Sequence, residues 1–199
     1  MEYLVSMTTH VPDGTTEDEV NQVRAHEAAH SRHLAAQGHL LRLFRPPLKP
    51  GEWRTFGLFD AADADRLEDV LASMPLRIWR TDEVTELAPH PNDPGRGTLP
   101  QGPLGATEFL TTFTVTVPED APGLADARAR EAARSGELAT EGHLERLWAL
   151  GPGTALGLWR AGDPAEMQAI LKSLPLDPFM TVETTPLSKH PSDPAIAGT

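Results

Sequence analysis

Two glutamates occupy positions where a carboxylate is out of place. Glu27 lies in a stretch whose apolar residues Val20, Val23 and Leu34, with Gly38, fall on one side of a helix, and it sits in the middle of that stripe. Glu131 holds the same place among Leu124, Ala127, Leu138 and Gly142. An inward carboxylate costs desolvation unless it is paired or keeps its proton. A carboxyl so perturbed can accept and return a proton near neutral pH without a metal or nucleotide. His30 and Arg134 flank the two acids at i+3, and Ser31 and Ser135 at i+4, so each acid has polar company one turn away.

The strand that follows repeats the anomaly. Leu40, Arg42 and Phe44 should share one face, as should Leu144, Arg146 and Trp148, which places an arginine between apolar neighbours. Such a pocket would bind a small carboxylate or stabilise an enolate oxygen. The alternative is structural, with Arg42 and Arg146 merely neutralising Glu27 and Glu131, and the residues alone leave both readings open. His39 and His143 follow glycines and suit helix capping, while His90 and His190 precede prolines and read as structural. None of these spacings matches a metal-ligand template, so no metal is expected. Trp53, Trp79, Trp148 and Trp159 read as core residues.

The elements that position these residues occur twice. Glu2-Tyr3-Leu4 returns as Glu108-Phe109-Leu110, and Val11-Pro12 as Val117-Pro118. His26-Glu27-Ala28-Ala29 matches Arg130-Glu131-Ala132-Ala133, and Gly38-His39-Leu40 matches Gly142-His143-Leu144. Ser73-Met74-Pro75-Leu76 pairs with Ser173-Leu174-Pro175-Leu176, and His90-Pro91 with His190-Pro191. Matches that keep their order along both halves mark a tandem duplication of a whole domain. The expected division is a first domain at 1–93, a Gly/Pro-rich linker at 94–105 and a second domain at 106–199.

Within each copy the periodicity changes in a fixed order. Alternation around Tyr3, Val5 and Met7, and around Phe109 to Val117, predicts a strand. Ala-rich stretches from Val20 to Gln37 and from Leu124 to Glu141 predict helices that end at glycine. In the first copy, two strands (His39 to Phe44, Trp53 to Phe59), a helix from Asp63 to about Ser73 and a last strand from Trp79 to Leu87 complete a βαββαβ unit. This order gives an α+β, ferredoxin-like domain with both helices on one face of an antiparallel sheet. A copy of this size has a limited core, so the two are expected to pack sheet to sheet as a fused dimeric α+β barrel, an internal pseudo-dimer.

Composition narrows the partners. The chain has 199 residues, is 39% hydrophobic and 23% charged, and carries a formal charge of −12. That charge repels phosphate backbones and anionic lipid, so neither nucleic acid nor membrane is an expected partner. Absence of cysteine excludes disulfides and thiolate chemistry. Met1 to Val11 reads as a strand instead of a signal peptide, and no apolar run is long enough to span a bilayer, so a cytoplasmic protein is expected.

The second copy carries a more specific likeness. Ala129-Arg130-Glu131-Ala132-Ala133-Arg134-Ser135, Gly142 through Trp148, and the ending Ser173-Leu174-Pro175-Leu176, Pro178-Phe179-Met180, Thr185-Pro186-Leu187 and His190-Pro191-Ser192 resemble muconolactone delta-isomerase. The similarity extends over essentially all of both copies. The resemblance implies ferredoxin-like domains that pair into an α+β barrel and assemble into larger homo-oligomers. It also implies a cofactor-free shift of a carbon–carbon double bond in an unsaturated lactone, with the helix glutamate, here Glu27 and Glu131, as proton carrier. The chain departs from the family pattern at His30 and Arg134, where the family has tyrosine, and at His26, where Arg130 retains the family's arginine. The expected function is therefore isomerisation of a small lactone, enone or polyketide-like acid. Cyclisation or elimination through the same enolate, a non-catalytic small-molecule binding protein and a purely structural oligomer subunit are the alternatives.

Overall fold

A computed structural model describes residues 1–96 and 105–196. The elements, in chain order, are β1 (Glu2–Thr9), α1 (Glu17–Ala36), β2 (Leu40–Arg45), β3 (Arg54–Asp60), α2 (Ala64–Ser73) and β4 (Arg80–Pro89), then β5 (Thr107–Val115), α3 (Leu124–Thr140), β6 (Leu144–Gly151), β7 (Thr154–Ala161), α4 (Pro164–Lys172) and β8 (Met180–Lys189). Both copies are thus βαββαβ, the ferredoxin-like order. Most of the Gly/Pro-rich linker expected at 94–105 lies outside the described residues.

Helix α1 begins three residues before the apolar periodicity does. Thr16 and Glu19 form a capping box: the Glu19 N–H donates to the Thr16 hydroxyl and the Thr16 N–H to the Glu19 carboxylate, and Glu17, Asp18 and Glu19 complement the helix dipole. Its end is set by Gly38, whose φ of 80° is left-handed and costs a residue with a Cβ more than it costs glycine. Helix α3 ends likewise at Gly142.

The chain forms two compact units: residues 1–87 with 188–199, and residues 88–187. In the first unit the antiparallel order is β4-β1-β3-β2, and Ser188 and Lys189 from the end of β8 pair with Arg45 and Phe44 of β2. In the second the order is β8-β5-β7-β6, and Ala88 and Pro89 from the end of β4 pair with Ala149 and Trp148 of β6. The final residues of each copy therefore belong to the unit built on the other copy. Tyr3, Val5, Phe59, Leu67 and Leu71 centre the first core; Phe109, Leu144, Trp159, Met167 and Ile170 hold the second.

One irregularity recurs. The register slips between Leu40 and Arg42 on β2 and between Leu144 and Arg146 on β6. An extra residue at such a bulge turns all that follows to the opposite face. Leu43 is buried and Arg42 is not.

Candidate active site

Each unit has a cavity beside its first helix. In the first unit it measures about 290 Å³ and is lined by Glu27 and Ser31 of α1, Leu43 and Arg45 of β2, Arg80 and His190 among others. In the second it measures about 370 Å³, and Glu131 and Ser135 of α3, Leu147 and Ala149 of β6, Met180 and His90 take the corresponding places. Both sequence-predicted acids and both serines are therefore brought together. Ser31 and Ser135 are each 2% exposed, and their hydroxyls make no hydrogen bond to any described residue.

The acids are held in the same way. The Leu76 N–H donates to Glu27 Oε2 at 2.8 Å, and the Leu176 N–H to Glu131 Oε2 at 3.0 Å. Burial pushes both carboxyls above the usual carboxylate range, opposed by that backbone hydrogen bond. Their surroundings then diverge. Arg80 stands 3.5 Å from Glu27 and further favours its charged form, whereas unit 2 has Met180 at that position. Arg80 is itself gripped by Asp82, Nε to Oδ1 at 2.6 Å and Nη2 to Oδ2 at 3.0 Å. The described residues supply no ion pair to Glu131, which is 8% exposed.

The remaining expected site residues lie elsewhere. Arg42 does not neutralise Glu27 or line its cavity: its Nε and Nη2 each donate to Asp193 at 3.1 Å, and its guanidinium covers the Phe44 ring at 4.6 Å. Arg146 likewise binds Asp93, with Nη2 to Oδ2 at 3.1 Å, and covers Trp148 at 4.8 Å. The bulge is the physical reason, because it sends Leu43 and Arg45 toward the cavity and turns Arg42 and Phe44 away. Phe44 and Trp148 are buried beneath the arginines and line neither cavity. His30 Nε2 meets the Ser73 hydroxyl at 2.8 Å, and Arg134 Nε donates to Ser173 at 3.2 Å, so both tie the first helix of their copy to the end of the second.

The structure also brings in residues that sequence reasoning set aside. His190 lines the first cavity and His90 the second. In each, Nδ1 accepts a backbone N–H two residues on, from Ser192 or Asn92, at 3.1 Å. A neutral ring held so carries its proton on Nε2. Burial keeps both rings neutral, with His190 pushed down to about 4 by burial and by the charges of Arg45 and Arg24. The signal was present in the recurrence of His90-Pro91-Asn92-Asp93-Pro94 as His190-Pro191-Ser192-Asp193-Pro194. Asp93 and Asp193 anchor the segments that carry these histidines.

Comparison with known proteins is decisive for the family. The model of muconolactone delta-isomerase matches residues 1–93 and again 107–193. The chain belongs to the muconolactone delta-isomerase family. It is 34% identical over 87 residues to Muconolactone Delta-isomerase of Cupriavidus pinatubonensis (strain JMP 134 / LMG 1197), which covers 42% of this chain and 95% of that protein. It is 37% identical over 87 residues to Muconolactone Delta-isomerase 1 of Acinetobacter lwoffii, covering 42% and 91%. Relatives of about one copy in length thus match a chain that holds two, and this muconolactone isomerase-like chain is a tandem isomerase. A mutant chlorite dismutase from Candidatus Nitrospira defluvii shares the fold at a TM-score of 0.56 and 11% identity, over 94% of this chain and 91% of that one.

Among the described residues no helix is long and apolar enough to cross a membrane, and no group of three or more His, Cys, Asp or Glu could hold a metal ion.

Proposed function

We propose that this chain shifts a carbon–carbon double bond in a small unsaturated lactone, enone or polyketide-like acid by proton transfer, without a cofactor, and that Glu131 is the principal carrier. The observation that carries this reading is a buried carboxylate in a largely apolar cavity, oriented by one backbone N–H and given no ion pair by the described residues. As carboxylate, Glu131 takes the proton from the carbon next to the substrate carbonyl, leaving a conjugated enolate. As acid, it returns that proton to the far carbon of the conjugated system, so the bond moves and the mass is unchanged. The neutral His90, with its proton on Nε2, is the donor suited to the enolate oxygen, and the unpartnered Ser135 hydroxyl is a second contact for substrate. Arg42 and Arg146 take no part, because each is committed to an aspartate.

Glu27 can carry out the same step in the first unit, but Arg80 favours its charged form and so weakens it as a proton donor. Substitution of Glu131 by Gln is expected to lower kcat by about 10²-fold or more, the usual range for a lost acid–base group. E27Q is expected to have a smaller effect. Turnover assays on a panel of lactones and enones, with product mass recorded, check this. Equal losses from the two single substitutions would contradict the dominance of Glu131. Full turnover by the double variant would remove the mechanism, and a change in product mass would replace isomerisation by elimination.

A further inference from the structure

The two cavities differ most in their guanidinium groups. Arg24 of α1, Arg45 of β2 and Arg80 of β4 line the first, whereas the second has Arg128, Ala149 and Met180 at the matching positions. Arg80 is compensated by Asp82 and Glu27. Arg128 is compensated by Glu119, at 2.5 Å and 2.8 Å. Arg24 and Arg45 form no ion pair with any described residue, and Arg24 lies over the Trp53 ring, 5.3 Å from its centroid. Both act electrostatically on His190, so their charge is felt at the cavity wall formed by the chain's last segment.

Two guanidiniums that line one cavity without an ion pair among the described residues, in a chain of formal charge −12, make a local field opposite in sign to that of the molecule. The guanidinium fork matches a carboxylate in geometry as well as charge. Met7, Leu43, Trp53 and Met74 line the same cavity and would cover a hydrocarbon body that an inorganic ion lacks. We propose that the cavity of the first unit is a binding site for a small organic dianion, a short dicarboxylate whose two carboxylates are taken by Arg24 and Arg45. The second cavity, with one compensated arginine and more apolar walls, has no such site. The assignment goes beyond the isomerase reading and does not depend on which glutamate carries the proton.

The test is calorimetric titration of the intact protein with succinate, glutarate and adipate, set against butyrate and inorganic phosphate. At least one dicarboxylate is expected to bind saturably and more tightly than butyrate or phosphate, and to weaken as salt is raised. R24Q and R45Q should each weaken it about tenfold or more, as loss of a charge-assisted pair requires. R45K should retain part of the affinity, and R128Q all of it. Trp53→Phe should abolish the accompanying fluorescence change while the heat of binding persists. Dicarboxylate affinity unaltered in R24Q and R45Q, or no saturable binding, would overturn the assignment. Phosphate or butyrate binding as tightly as every dicarboxylate would overturn the ligand class. E131Q is expected to bind the dicarboxylate as the parent does, so loss of turnover in that variant and loss of dicarboxylate binding in R45Q are read independently.

Discussion

At the scale of single residues, the two glutamates show how one backbone geometry can stand in two electrostatic settings. Each accepts one main-chain N–H and each is driven upward in pKa by burial, yet only Glu27 has a guanidinium within reach. Thermodynamic linkage makes the consequence for Glu131 measurable. Its carboxyl keeps its proton to higher pH in the folded protein than in the unfolded chain. The resulting penalty is absent below the unfolded pKa, develops as pH rises from the unfolded toward the folded value and is complete above the latter. E131Q keeps an oxygen for the Leu176 N–H and removes the charge, so its melting temperature at pH 7 should exceed that of the parent. The difference should shrink as pH is lowered through the carboxylate range, and scanning calorimetry across that range checks it. A gain that is constant with pH would mean that Glu131 is not held in a desolvated site.

At the scale of elements, the cavity walls depend on close packing across paired strands. Gly157 on β7 pairs with Thr111 on β5, and the Trp159 indole folds back over it to donate to Thr111 Oγ1 at 2.9 Å. A Cβ at position 157 would collide with the indole and lie 2.9 Å from that hydroxyl. Trp159 is 1% exposed and lines the second cavity, so it has nowhere to retreat without filling the site. Gly157→Ala should cost about 1–3 kcal/mol, the usual range for overpacking. Urea unfolding measures the loss, and a shifted tryptophan emission would report the displaced indole. Gly57 stands in the same relation to Phe59 and Met7 in the first unit. The paired bulges belong to this scale as well: one inserted residue per copy decides that Arg45 faces its cavity while Arg42 does not.

At the scale of the whole molecule, each unit is completed by chain from the other copy. The junctions are held by buried charge. Asp193 has a side chain 2% exposed and accepts from Arg42 and from the Leu43 N–H at 3.1 Å. Asp93 makes the equivalent bonds to Arg146 and to the Leu147 N–H, but its side chain is 14% exposed. Removing one partner of a buried pair leaves the other uncompensated and typically costs 3–5 kcal/mol. D193A should therefore destabilise by about 3 kcal/mol, and D93A, where solvent screens more of the charge, by less. Denaturant titration gives the magnitudes. Limited proteolysis should also cut D193A near its C-terminal segment sooner than the parent, because the anchor of the segment bearing His190 is gone.

Much of this protein can be read without coordinates, because the determining signals are local or repeated. Strand alternation, helix-ending glycines and ordered matches between the halves specify two βαββαβ copies, since side-chain periodicity follows directly from backbone geometry. Glu27 and Glu131 stood out because a carboxylate within an apolar stripe breaks a local rule, and the fold sets both in cavities. Arg42 and Arg146 face away from the acids, against strict alternation, because a bulge precedes each and leaves no mark in residue type. The placing of His90 and His190 is not legible in the sequence because their cavities are formed by residues far away in the chain. No local pattern reveals that the end of one copy is built into the unit of the other. Sequence alone thus determined the repeat, the elements and the acids. Only tertiary structure decided which side chains meet those acids, because pairing register and long-range burial depend on partners that a local reading does not contain.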